Sequence, residues 1–519
     1  MEVKHTIISA LMIITLVLIW RAMKFLLMKP MKIEKCLRKQ GIKGNPYKPI
    51  LGDIKQLVKI TKDSMLKPIN FSDDNLPRIV AFVHHTIQTH GKNCFVWVGP
   101  APWLILSDSD KVKEILTNYE DFRKPDTSIN KILSVGLFST EGDTWAKHRK
   151  IINPAFRMDK LKNVCHTMYE SCSVMINSWE ELLQSKGGST ELDVWPFLEN
   201  LSGDFISRAA FGSSYEQGKR IFDLQAEYVK LALLSLNATN YIPGWRYLPT
   251  KNNRRVKEIL TEVSETLTRM IESRKAEMEA GASTRDDLLG ILLESNMREN
   301  ECRGSVKERG LTTKEVVEEC QLFYLAGSET TSSLLVWTLI LLSKHPLWQE
   351  RARREVLQEF GNDGPPNFDG LSRLKIVTMI INEVLRLYPP AYMLMRKVYN
   401  DIQLQELLIP EGTEIVIPLC SIHQDSDLWG DDSKEFNPER FAKGVSEATK
   451  GRPIYFPFSD GPRICVGKNF ALVEVKLVLS MILQRFSIDL SPTYAHAPYA
   501  IMTIKPQHGA SLILSKLYS

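Results

Sequence analysis

The chain opens on an apolar run, residues 6–20, in which only Thr6, Ser9 and Thr15 are polar; Arg21 and Lys24 follow, then residues 25–28 are apolar again. The run alone is shorter than the ~20 residues a bilayer requires. A helix over residues 6–28 reaches that length if Arg21 and Lys24 extend their charged ends to the headgroups. No small-residue cleavage site follows, and Lys29, Lys32, Lys35, Arg38 and Lys39 keep the downstream side basic. The pattern predicts an uncleaved, single-pass anchor over residues 1–28 with the rest of the chain in the cytosol. Residues 29–53 are basic and then rich in turn formers (Gly41, Gly44, Pro46, Pro49, Gly52), which predicts a stiff linker. Sequons at Asn70, Asn200 and Asn237 are inert in that topology.

Farther on, helical spacing of apolar positions predicts amphipathic helices over residues 161–183, 202–211 and 221–236. Residues 94–98 and 103–106 read as a hairpin around Gly99 and Pro100, and Glu411-Gly412 as a hairpin turn between short strands. Residues 126–138 are turn-rich, 241–249 form an aromatic, proline-containing loop, and the charged stretch 298–309 reads as a surface loop. A long helix starts near Thr312, where Glu315 completes a capping box, and stops before His345-Pro346. Its ~32 residues span roughly 48 Å. Midway lie Ala326, Gly327, Ser328, Glu329, Thr330 and Thr331. A central glycine costs a helix about 1 kcal/mol, and neighbouring threonines compete for its carbonyls, so a bend is expected. An acid beside a hydroxyl offers a proton path; a small-residue helix crossing would produce the same run.

Composition narrows the chemistry. The 66 basic and 61 acidic residues nearly balance, which gives no footprint for a nucleic-acid partner. Eight scattered cysteines without a Cys-x-x-Cys pair suggest a reducing compartment. Dinucleotide, Walker, zinc-protease and serine-hydrolase motifs are missing from the sequence.

Candidate chemistry gathers at residues 456–467. Cys465 sits among Phe458, Gly461, Pro462, Arg463 and Gly467, just before an apolar run at helical spacing over 470–483. A lone cysteine beside a turn is more often plain core. A thiolate under a haem, however, needs glycines for close backbone approach, an arginine for a haem carboxylate and a helix N-terminus to hold the anion. Phe458 would shield the sulfur. Trp145 and Arg149 share a helix face, while Lys147, His148 and Lys150 are expected to face outward and attract an acidic reductase. Glu383 and Arg386 lie at i and i+3 on an apolar helix, which predicts burial and a further partner such as Arg440.

The ten-residue pattern from Phe458 through Gly461, Arg463 and Cys465 to Gly467 resembles the haem signature of the cytochrome P-450 superfamily. The resemblance covers nearly the whole chain and implies a mainly α fold with a small β region, its catalytic domain over residues 54–519. It implies haem b on Cys465 as axial iron ligand, with Trp145, Arg149, Arg396 and Arg463 at the haem propionates. Glu329 and Thr330 become a proton-delivery pair, and Glu383, Arg386 and Arg440 a structural triad. Phe323, Ala326, Tyr392, Met393, Leu394, Met395, Ile501 and Met502 become the substrate pocket. Dioxygen is the implied cosubstrate, and NADPH–cytochrome P-450 reductase the electron donor at the endoplasmic reticulum membrane.

Residues 45–47, 241–245, 287–290, 341–346 and 495–498 are similar to the plant secologanin-synthase-like subfamily. This implies hydroxylation of a terpenoid, with a triterpenoid favoured over an iridoid or a gibberellin-like hormone. A haem-thiolate isomerase or dehydratase, and a non-catalytic haem-binding or lipid-binding membrane protein, are the rival classes. The acid and hydroxyl at Glu329 and Thr330 argue against both.

Overall fold

The computed structural model describes residues 2–125, 136–212, 215–234, 248–280, 287–301 and 310–517. Its axis is the helix Thr313–Lys344. Thr312 Oγ1 accepts from Glu315 N–H at 3.2 Å, and Glu315 Oε2 accepts from Thr312 N–H at 2.6 Å, so the predicted capping box closes in both directions. The helix runs unbroken through Gly327 and ends as expected, because Pro346 cannot continue it and begins the helix Pro346–Phe360 instead. Residues 331–343 are buried throughout. An apolar helix of this length could cross a membrane by composition, but here it is the wall on which Trp195–Phe211, Lys251–Glu279, Lys375–Leu387 and Lys468–Arg485 pack. Two large apolar clusters flank it, one centred on Trp179, Trp337 and Phe486, the other on Phe211, Phe323 and Tyr324.

The β region is small and lies to one side. The predicted hairpin is present as Asn93–Val98 and Ala101–Leu106, paired antiparallel from Asn93 opposite Leu106 to Val98 opposite Ala101. Ala101–Leu106 runs parallel to Glu414–Ile417, which pairs antiparallel with Leu394–Val398. Glu411 and Gly412 do turn the chain. The strands on either side, Leu407–Ile409 and Glu414–Ile417, nevertheless belong to different sheets and do not form the expected hairpin. A last hairpin, Pro498–Ala500 with Ile504–Pro506, folds back against the long helix.

The N-terminal run is helical from Glu2 to Met23, passes through one wider turn at Lys24–Met28, and continues as Lys29–Lys39. Its apolar residues, among them Ile7, Leu11, Leu18 and Trp20, are exposed, and the helix is long and apolar enough to span a bilayer. The segment read as a linker is more ordered than its composition suggested. Ile33 and Leu37, one helical turn apart, are buried against the sheet, and Lys43–Gly44 adds a short strand to it. Buried Asp53 accepts from Trp97 N–H at 3.0 Å. Most of residues 126–138, 241–249 and 298–309, and the end of the helix expected over 221–236, lie outside the described residues.

Candidate functional site

The loop before Lys468–Arg485 is pulled tight by Cys465 N–H, which donates to Phe458 C=O at 2.9 Å. Ser459 and Gly461 take positive φ (63° and 68°) to make the turn. A Cβ on Gly461 would lie 2.5 Å from Leu116 C=O, so the neighbouring helix Ser109–Thr117 also requires a glycine here. At Gly467 a Cβ would meet only the Cys465 sulfur, at 3.9 Å, which keeps that side of the thiol open. Cys465 is the one exposed cysteine among the described residues. We read the space in front of it as a recess, since Arg149, Gly467 and Lys468 all act on the exposed thiol. Burial there pushes the thiol above its ordinary value, while the Gly467 N–H, the Arg149 charge and the Lys468 N–H pull the other way. The helix N-terminus therefore moderates the shift without reversing it.

Around the recess stand four cations. Arg396 projects from Leu394–Val398 and is 4% exposed; among the described residues it donates only to its neighbour Met395 C=O at 2.9 Å and its Nε has no partner. Burial, and then Arg463, lower its value to about 10. Arg463 lies over the Trp145 ring at 4.7 Å, pairs with Glu141 and donates to Thr140 C=O at 2.9 Å, yet its Nη1 is also buried and unpartnered. Arg149 is lowered by burial and feels the Cys465 charge. Lys124 is the fourth. It donates to Phe138 C=O at 2.6 Å, and burial followed by Arg396 and Arg463 holds it well below its usual value. Among the described residues no carboxylate pairs with Lys124, Arg149 or Arg396. Buried cations without counter-charge are costly, so the recess suits a ligand that brings carboxylates to this rim and a flat apolar body to Cys465. Haem fits that description.

The helix Gly142–Ile152 carries both Trp145, against which Arg463 packs, and Arg149. It does not send His148 outward. His148 is 1% exposed and its Nδ1 lies 2.5 Å from Glu319 Oε1, which joins this helix to the long one. Lys147 donates to Gly310 C=O at 2.7 Å, leaving Lys150 exposed.

Glu383 and Arg386 are fully buried, and Arg386 Nε and Nη2 meet both oxygens of Glu383 at 2.8 and 2.7 Å. The carbonyls of His423, Ser433 and Glu435 take its remaining donors. Asn437 N–H donates to Glu383 at 2.9 Å, and Arg440 Nε approaches it to 3.7 Å while pairing with Asp432 at 2.7 Å.

Glu329 and Thr330 are neighbours that do not bond each other. Thr330 Oγ1 donates to Ala326 C=O at 2.7 Å, whereas Glu329 Oε2 meets Lys505 Nζ at 2.7 Å and accepts from Thr503 Oγ1 at 3.4 Å. Ala326 is exposed beside them. Tyr392 donates its hydroxyl to Ile501 C=O at 3.2 Å, bringing the half-buried residues 392–395 and 501–502 together. Phe323 is the exception within the expected pocket: it is 6% exposed and stacks on Phe156 at 5.4 Å, inside an apolar cluster. Sequence reasoning missed Lys124, Glu141 and Lys505. Each is one charge among its neighbours and belongs to none of the patterns noted above, and only the fold brings it to the others.

A mainly helical domain with an accessible thiol on a tight loop and a rim of uncompensated cations is the architecture of a haem-thiolate protein. The chain belongs to the cytochrome P450 family, whose family model, cytochrome P450, matches residues 74–509. It is 49% identical over 516 residues to cytochrome P450 72A68 of Medicago truncatula, covering 99% of each chain. It is 51% identical to cytochrome P450 CYP72A219 of Panax ginseng over the full length of both. It is 52% identical over 94% of each chain to the 11-oxo-beta-amyrin 30-oxidase of Glycyrrhiza uralensis. The protein is accordingly a haem-thiolate monooxygenase, a family that uses dioxygen and an external electron donor, and its N-terminal apolar helix suits membrane anchoring.

Proposed function

We propose that this monooxygenase hydroxylates a triterpenoid, taking electrons from NADPH through NADPH–cytochrome P-450 reductase at the endoplasmic reticulum membrane. In this reading Cys465 would hold the iron of haem b through its sulfur. Lys124, Arg149, Arg396 and Arg463 neutralise the two haem carboxylates, with Trp145 packed beneath Arg463. The haem, when bound, supplies the activation of dioxygen. The chain's own contribution is positional. Its recess excludes water from the thiolate, Glu329 and Thr330 hold the proton needed at the oxygen-binding side, and residues 326, 392–395, 501 and 502 seat a bulky apolar substrate. Met393 and Met395 suit such a skeleton because their side chains adapt to irregular surfaces. The knot of Glu383, Arg386 and Arg440 carries no chemistry and keeps the cysteine loop seated.

The observation that carries the substrate class is the two full-length relatives named 11-oxo-beta-amyrin 30-oxidase, 52% and 48% identical to this chain. The test is expression with a plant reductase in microsomes, with NADPH and panels of triterpenoids and iridoids, scoring mass gain of one oxygen. A triterpenoid product is expected. Product from iridoids alone overturns the substrate class and leaves the monooxygenase intact.

A further inference from the structure

The acid of the long helix is engaged from an unexpected direction. Glu329, Ser333 and Trp337 follow each other at i, i+4 and i+8, so they form one helix face. The C-terminal hairpin lies along that face. Ile504 C=O accepts from Ser333 Oγ at 2.7 Å and from Trp337 Nε1 at 2.8 Å, both buried contacts. The next residue, Lys505, places its Nζ 2.7 Å from Glu329 Oε2 and 3.4 Å from Glu199 Oε1 on the helix Trp195–Phe211. Its side chain also passes over the Trp195 ring at 5.3 Å. Ile504 is pinned twice, so only the Lys505 side chain is free to change partner.

We propose that Lys505 is a positioning residue for proton delivery. It holds the Glu329 carboxylate against the C-terminal hairpin in the resting protein and releases it by moving to Glu199. This rests on the reading of Glu329 as a proton-delivery acid. Two further facts support it. Thr330, bonded to its own helix carbonyl, makes no claim on Glu329. Burial works against the Lys505 ammonium, but Glu329 and then Glu199 outweigh it and raise its value, and both carboxylates lie within reach of the one Nζ. Tyr499 and Asp193 are the other titratable groups facing this triad. The turn that joins the two hairpin strands contains Ile501 and Met502, so a ligand pressing on that turn acts on the strand that carries Lys505.

The test uses full-length, haem-loaded protein with reductase, without substrate, comparing Lys505→Met, Lys505→Arg, Glu199→Gln, Glu329→Gln and the double variant Glu329→Gln/Lys505→Met. Amide exchange over residues 498–506 is read in the resting protein, and hydrogen peroxide released per NADPH is read in turnover. Loss of the tie should raise exchange equally in Lys505→Met, Glu329→Gln and the double variant. Lys505→Met should raise peroxide release several-fold, Glu199→Gln should lower it, and Lys505→Arg should restore both readouts. In the Glu329→Gln background the Lys505 change should have no further effect. An equal rise in peroxide with or without Glu329, or unchanged exchange in Lys505→Met, overturns the proposal. Coupled exchange with unresponsive peroxide release keeps the tie but removes its role, and the failure then lies with Glu329 as the acid.

Discussion

Two buried clusters of charge sit within one domain and are built on opposite terms. Around Glu383, every donor of Arg386 is spent on a carboxylate or a carbonyl, Asn437 N–H donates to Glu383, and Arg440 faces the same carboxylate at 3.7 Å with its Nε charge-paired though not hydrogen-bonded. Around Arg396, three cations crowd together with Glu141 as the acid in reach, and two buried guanidinium nitrogens have no partner. The first cluster is complete in charge, each cation facing a carboxylate, and we read it as structural. The second leaves cations without counter-charge among the described residues, and we propose it as the receiving end for an anionic ligand. Burial alone does not separate the two; the account of donors and acceptors does.

The largest expected effect falls where the ligand itself is held. Cys465→Ser should abolish monooxygenation and the carbon-monoxide absorption of a thiolate-bound haem, while the urea midpoint of the haem-free protein barely moves, since this side chain is exposed and anchors its loop through its backbone N–H. A folded variant that retained the thiolate absorption would break the assignment. Next comes the complete cluster. Glu383→Gln leaves a buried guanidinium without its carboxylate, which costs about 3–5 kcal/mol, a large part of the ~5–15 kcal/mol that keeps a domain folded. Soluble haem-containing protein should be nearly lost. The double variant Glu383→Gln/Arg386→Met should recover part of the loss, because the two single effects share one interaction.

The complete cluster was also the more legible of the two. Glu383 and Arg386 fall at i and i+3 among apolar residues, and a buried charge pair announces its need for a partner, which Arg440 supplies from 54 positions beyond Arg386. The capping box at Thr312 and the stop at Pro346 were equally local and were found where expected. The incomplete cluster was half visible. Trp145, Arg149, Arg396 and Arg463 lie in or beside motifs, while Lys124 and Glu141 become relevant only when a loop, a helix start and a strand converge. His148 shows the limit most clearly. Its neighbours Lys147, Arg149 and Lys150 make the segment read as a charged face, and its partner Glu319 is 171 residues away. A helix of 3.6 residues per turn must still put one position in four or so inward, and the charged letters concealed which.

Arg396→Met sharpens the comparison at lower cost. It removes one donor to the proposed haem carboxylate, worth about 1.5 kcal/mol and so roughly tenfold in haem dissociation, measurable by transfer to an apo-globin acceptor. The haem-free protein should be no less stable than the parent, because a buried cation crowded by Arg463 has been removed. A fall in apo stability like that of Glu383→Gln would place Arg396 in the structural class instead.

The smallest effect concerns the pair that lies between these extremes, one cation and one anion buried together. Burial disfavours protonated His148, but the hydrogen bond and charge of Glu319, with Glu315 3.5 Å from Nε2, outweigh it and raise the histidine above its ordinary value. A raised value means the folded state binds the proton more tightly than the unfolded chain. The contribution is therefore full below the unfolded value of about 6.5 and is lost as pH rises through the higher folded value. His148→Gln should accordingly cost most at acidic pH, about 1 kcal/mol, and its urea midpoint should converge toward the parent's as the solution becomes alkaline. A difference that stayed constant with pH would mean that the pair contributes shape and packing to the junction of the two helices but no charge. His148 would then belong with the complete, structural cluster on packing grounds alone.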